Sequence, residues 1–278
     1  MLNILLSILC SVGIANLLML FGKLKRHADP DPRHAMLPVF LGNYIMATVF
    51  SYLAVPRGGF QLHAFDLGLG IAAGALFLTN FWVYQRSIVI NGLAISVSVM
   101  RVAMVLPVLV SLLIFAERLK PLNFAGIALA ILAFMLKPGG EGRRHLVWLI
   151  ALFAVSGLTD LSLKLFKELG SGSEALWIGM VFSSALIFTA ALIIIRKVKL
   201  GWLPLLFGFG LGIPNRLSTV FFLKGLATVP AAVAYPVTAS GIVLVSVISD
   251  ALFWKRIPVR RELLMYALLA LGLILLNL

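Results

Sequence analysis

Ten apolar runs, most of them long enough to cross a bilayer, take up nearly all of this 278-residue chain. They lie near residues 3–22, 35–55, 66–86, 92–115, 121–137, 146–166, 175–195, 202–223, 231–254 and 262–278. A helix rises ~1.5 Å per residue, so crossing ~30 Å of hydrocarbon takes ~20 mostly apolar residues. Barrel strands alternate apolar and polar positions, and these runs do not. The predicted fold is therefore an all-α integral membrane protein with ten transmembrane helices, whose function sits between helices. Composition agrees, because 62% hydrophobic and 12% charged residues with a mean hydropathy of +1.08 lie far outside the globular range. The first run lacks a preceding basic residue and a following small-residue cleavage signal, and reads as a retained helix. Cys10 is the single cysteine, which excludes an internal disulfide, and no metal-ligand spacing is present.

The links between runs carry most of the Pro, Gly and charge, and Pro138-Gly139-Gly140-Glu141-Gly142 falls at the midpoint. Displacing the chain by 138 residues sets Gly70 and Gly74 on Gly208 and Gly212, and Arg86 on Lys224. It also sets Ala94, Val99, Val105, Leu106, Ser111, Phe115 and Arg118 on Ala232, Val237, Val243, Leu244, Ser249, Phe253 and Arg256. A displacement of 144 lays Val12 on Ser156, Gly13 on Gly157, Asn16 on Asp160 and Lys23 on Lys167. Apolar matches arise by chance in such a chain, so the paired Gly-xxx-Gly elements and the basic positions carry the weight. They predict an internal duplication, 1–138 and 139–278, with five helices in each half. An odd number of crossings brings the second copy in from the opposite face. Inverted repeats and alternating access around a midplane site are then expected.

Charged residues inside the runs are the sharpest candidates, since a central Arg, Lys or Asp costs ~2.5–3.5 kcal/mol to insert and faces a cavity or a partner. Arg101 sits well inside the fourth run, at helical spacing from Ser98. Arg216 follows Pro214-Asn215 in the eighth run; Pro214 frees the Gly210 carbonyl, so a broken helix with a basic group at the break is expected. Ser156, Asp160 and Lys164 are spaced by four and share a helix face, which lets Asp160 pair with Lys164. Asp160 is the acid deepest inside any run and the candidate for proton coupling. Asn16, its counterpart in the first half, together with Asn80, Tyr84, Ser98 and Tyr235, would add hydrogen-bonding groups for a substrate. Competing structural readings are an Arg101 spent on neighbouring carbonyls, an Arg216 snorkelling beside a packing kink, and a permanent Asp160–Lys164 pair. The lone polar groups would equally serve as ties between helices. The Gly70/Gly74 and Gly208/Gly212 pairs read as close helix packing, Glu117 and Arg118 as a surface ion pair of little energetic weight, and Trp148, Trp177, Trp202 and Trp254 as an interfacial belt.

The net charge of +13 would suggest nucleic acid in a soluble protein, but here it reads as topology. Fifteen Lys and Arg flank alternate links, including the first and the last, and five flank the others. The positive-inside rule then places both termini outside the cytoplasm, with a prokaryotic inner (plasma) membrane as the expected location.

At the end of the fourth run Pro107 is followed by Phe115-Ala116-Glu117-Arg118-Leu119, and then by Gly126 in the next helix. In this the whole chain resembles the EamA-type ten-helix transporters of the drug/metabolite transporter superfamily. Lys255-Arg256-Ile257 departs from the pattern in the second copy, where the family often repeats the acidic residue. The resemblance implies a metabolite carrier with a cavity between helices 1, 3, 4, 6, 8 and 9, and helices 5 and 10 at the periphery. It does not name a substrate, because the family's substrates are diverse.

The expected function is a secondary transporter of a small polar metabolite, anionic or zwitterionic, because Arg101, Arg216 and Lys164 outweigh Asp160. No cofactor, metal or nucleic acid is expected; proton coupling is. The alternatives are a flippase for a phosphorylated lipid and a non-transporting receptor or assembly subunit. An enzyme is disfavoured, since His27, His34, His63 and His145 lie in links with no catalytic spacing around them.

Overall fold

The structure is a computed structural model that describes residues 1–25, 36–91, 93–135, 146–255 and 260–277. The Pro138–Gly142 join, His27, His34, His145 and the Arg256–Ile257 pair lie outside them.

Among the described residues, regular structure is helical throughout. The helices are α1 (Leu2–Lys25), α2 (Leu37–Leu53), α3 (Ala64–Asn91), α4 (Leu93–Val102), α5 (Val105–Leu113), α6 (Pro121–Met135), α7 (Leu146–Leu169), α8 (Glu174–Ile195), α9 (Trp202–Leu226), α10 (Ala231–Trp254) and α11 (Arg260–Asn277). Each apolar run becomes one helix, except that the fourth divides into α4 and α5. Six helices are long and apolar enough to cross a membrane, namely those over Leu2–Phe21, Ala64–Tyr84, Leu146–Leu169, Glu174–Ile195, Trp202–Leu226 and Ala231–Phe253. The outward surface suits lipid, with Leu113, Ile187, Ile194, Leu252 and Phe253 all largely exposed.

Local chemistry sets the helix ends. Pro38 opens α2 and Pro121 opens α6, where a missing N–H costs nothing. Ser173 caps α8 by accepting the Leu176 N–H at 3.2 Å, with Glu174 in the first turn. The Asp66 carboxylate, 1% exposed, accepts the Ser171 and Gly172 N–H groups and ties α3 to the α7–α8 link.

The helices pack in a pattern of exchangeable pairs. α2 lies on α9 and α3 on α8; α1 lies on α9 and α3 on α7; α1 lies on α10 and α4–α5 on α7; α6 pairs with α11. Small residues permit the closest approaches. A Cβ on Gly208 would strike the Val39 carbonyl, and one on Gly74 would lie 2.6 Å from Ser184 Cβ. The buried core centres on Phe40, Tyr44, Phe182 and Trp177. Trp177 departs from the expected interfacial position: it is 1% exposed and stacks on Phe166, with ring centres 4.2 Å apart.

Candidate functional site

The break in the fourth run builds one wall of the site. Met104 N–H bonds to the Arg101 carbonyl at 3.3 Å and Leu106 N–H to the Ala103 carbonyl at 3.0 Å, both three residues back instead of the helical four. Pro107 has no N–H to offer Ala103, so continuing the helix would leave that carbonyl open. Interrupting it makes Pro107 the third residue of a new helix, where no N–H is needed. Gly157 of α7 packs into the notch; a Cβ there would meet Leu106 Cβ at 2.9 Å and the Ala103 carbonyl at 3.0 Å. Arg101 thus stands in the last turn of α4, beside irregular backbone. Such backbone is tolerated at membrane depth where it is buried or lines a cavity.

The eighth run behaves differently from expectation. α9 continues through Pro214 without interruption because α2 holds it on both sides of the proline. A Cβ on Gly212 would lie 2.5 Å from the Asn43 carbonyl, and the Asn215 side-chain amide donates to Asn43 Oδ1 at 3.1 Å.

A cavity of about 180 Å³ opens between α1, α4, α7, α9 and α10. Its charged groups are Arg101 and Asp160, and its hydroxyls come from Ser7, Ser11, Ser218, Thr219, Thr238 and Tyr235. At ~30 Å³ per liquid water it would hold about six waters, the scale of a small metabolite. The Arg101 guanidinium makes no hydrogen bond or salt bridge to the described residues, and its buried Nε has no partner. Asp160 likewise makes no side-chain bond to them, yet Arg101 lies within Coulombic range of it and of Tyr84. The two charges therefore share one cavity without closing on each other. Tyr235 donates to the Asp160 backbone carbonyl at 2.5 Å and packs edge-on against Phe222. Ser11 and Ser218 hydroxyls meet at 2.8 Å, and Ser7 donates to the Ser218 carbonyl at 3.0 Å.

Other candidates fall elsewhere. Lys164, 2% exposed, pairs with Glu117 at 2.5 Å and with Glu168, and lies over the Phe115 ring, so the anticipated pair with Asp160 is replaced. Arg216 does not line this cavity, although its buried Nε also has no partner among the described residues. Asn16 is occupied by the Val12 carbonyl and Ser249, tying α1 to α10. Asn80 accepts from Ser156 at 2.7 Å between α3 and α7. Tyr84 is half-buried on α3, a helix that supplies no lining residue. Ser98 belongs to α4, but its side chain lies outside the described residues.

Glu117 departs furthest from its sequence reading. It is no weak surface pair: beyond Lys164, it accepts Ala231 N–H and Ala232 N–H at 2.9 Å each. One carboxylate caps the positive end of α10 and neutralises the buried Lys164. Asp160 lies one turn from Lys164 and Tyr235 one turn from Ala231, so this node sits directly beside the cavity. The serine hydroxyls were also missed, and the available signal was Ser7 and Ser11 four apart in an otherwise apolar helix.

No family model matches the chain. An uncharacterized protein of Haemophilus influenzae (strain Rd) is 24% identical over 238 residues, covering 80% of this chain and 78% of that protein. A protein crystal structure superposes with a TM-score of 0.76 at 16% identity, covering 99% of this chain and 94% of the other. At that identity the likeness concerns the fold alone.

Proposed function

We propose that this chain is a secondary transporter that carries a small zwitterionic or anionic metabolite through the Arg101–Asp160 cavity. The observation that carries this reading is a half-buried guanidinium and a half-buried carboxylate that share one hydroxyl-lined space and make no pair among the described residues. A substrate with a carboxylate for Arg101 and an ammonium for Asp160 would satisfy both. Lys164 is already neutralised by Glu117 and Glu168, so the basic excess that favoured a simple anion is smaller than the sequence suggested.

The proposed mechanism is alternating access between two inverted repeats, as the resemblance to EamA-type transporters implies. The exchangeable helix pairs are those a twofold relation between halves would produce. Met100, Arg101 and Met104 line the cavity, and so do Thr238, Ala239 and Ile242, their counterparts 138 residues on. A site on the axis between halves stays in contact with both while they rock. The Glu117 node lies at the start of α10, an end that the loop charges assign to the non-cytoplasmic side. Asp160, whose carboxylate makes no bond to the described residues, is the group positioned to couple protons.

The test is thermal unfolding of the purified protein with small metabolites of each charge class. A zwitterion at 100 times its Kd adds ~2.7 kcal/mol of stability to the wild type. Arg101→Ala and Asp160→Asn should each abolish that gain. An undiminished gain in both variants would remove the cavity from the account.

A further inference from the structure

We propose that a groove between α2, α3 and α8, separate from the central cavity, binds an anionic phospholipid. The groove encloses about 260 Å³ and is lined by Phe40, Leu78, Phe81, Trp82 and Leu192, with Arg196 as its charged group. Phe40 and Phe81 pack with ring centres 3.9 Å apart, and Trp82 meets Trp148 edge-on, so the walls are largely aromatic. Arg196 is the residue that ends α8, and the exposed Lys197 and Lys199 follow it. Among the described residues no carboxylate pairs with any of the three. All three groove elements bring the same end of the bundle together: the start of α2, the later half of α3 and the last turn of α8. That end carries the Lys/Arg-rich links, and clefts between membrane helices with basic mouths on such a face recognise anionic headgroups. An acyl chain would lie along the aromatic wall with the lipid phosphate at Arg196. No residue is shared with the Arg101 cavity, so the assignment stands independently of the transported substrate.

The experiment is native mass spectrometry of the purified full chain after incubation with equal amounts of phosphatidylglycerol and phosphatidylcholine of the same acyl composition. The wild type should retain phosphatidylglycerol at least about fivefold over phosphatidylcholine. Arg196→Ala with Lys197→Ala and Lys199→Ala should bring the ratio to one, and Arg196→Lys should keep most of it. Thr79→Trp, at the exposed edge of the groove, should expel both lipids. Excess inorganic phosphate should leave the lipid adduct in place. Equal retention by the wild type, an unchanged ratio in the alanine variant, or displacement by phosphate alone would each overturn the proposal.

Discussion

The fourth apolar run and the ninth have opposite fates. The first divides into α4 and α5 at Ala103–Met104, whereas α10 runs unbroken for 24 residues although it too contains a proline, Pro236. The difference lies at the helix starts. Glu117 holds the Ala231 and Ala232 N–H groups, and Val233 and Ala234 bond back to the Pro230 carbonyl, so the α10 backbone is fixed ahead of Pro236. At the matching position the second half carries Lys255, a cation that cannot accept an N–H. The cavity thus has an unbroken helix, α10, on one side and a broken one, bearing Arg101, on the other.

Removing the cap breaks this contrast most severely. Glu117→Ala leaves Lys164 short of one partner and α10 uncapped, and should cost about 3 kcal/mol in thermal unfolding in detergent. A loss below about 1 kcal/mol would mean the node does not hold α10. Next comes the aligned glycine pair. Gly157→Ala forces a methyl against the α4–α5 notch and should destabilise by about 1–3 kcal/mol. Gly13→Ala meets nothing within 4 Å and should be neutral or stabilising by up to about 1 kcal/mol. Equal effects from the two would dissolve the asymmetry. Pro107→Ala restores an N–H for the Ala103 carbonyl and should lower flux about tenfold, equivalent to ~1.4 kcal/mol, without loss of thermal stability. Wild-type flux in a fully folded variant would show that the break is incidental. The smallest effect belongs to Tyr235→Phe, where losing the bond to the Asp160 carbonyl should cost about 1 kcal/mol in the same unfolding assay.

Much of this was legible in the sequence, and the misses share a cause. The apolar runs predicted each helix because hydrophobic length is a property of one segment. Arg101 and Asp160 stood out because charge inside such a run is rare. Spacing along a helix, however, fixes a face without saying which neighbour lies against it. Lys164 is four residues from Asp160, yet Glu117 arrives from another element and takes it. Pro214 and Pro107 look alike in sequence, but α2 supports the helix around Pro214, whereas Gly157 packs into the notch where the chain breaks beside Pro107. Trp177 lies near a run end, where an interfacial position is ordinary, yet it is buried against Phe166 and beside Gly70. The serine cluster escaped because it needs Ser218 to meet Ser7 and Ser11 from the other half of the chain.

The most direct measurement is counterflow of a labelled zwitterion, identified by thermal stabilisation, into proteoliposomes of the wild type, Arg101→Ala and Asp160→Asn, each verified as folded. Flux should be present in the wild type and fall at least about tenfold in both variants, one lost charged contact being equivalent to ~1.4 kcal/mol or more. Undiminished flux through both would contradict the assignment of this cavity as the transport site.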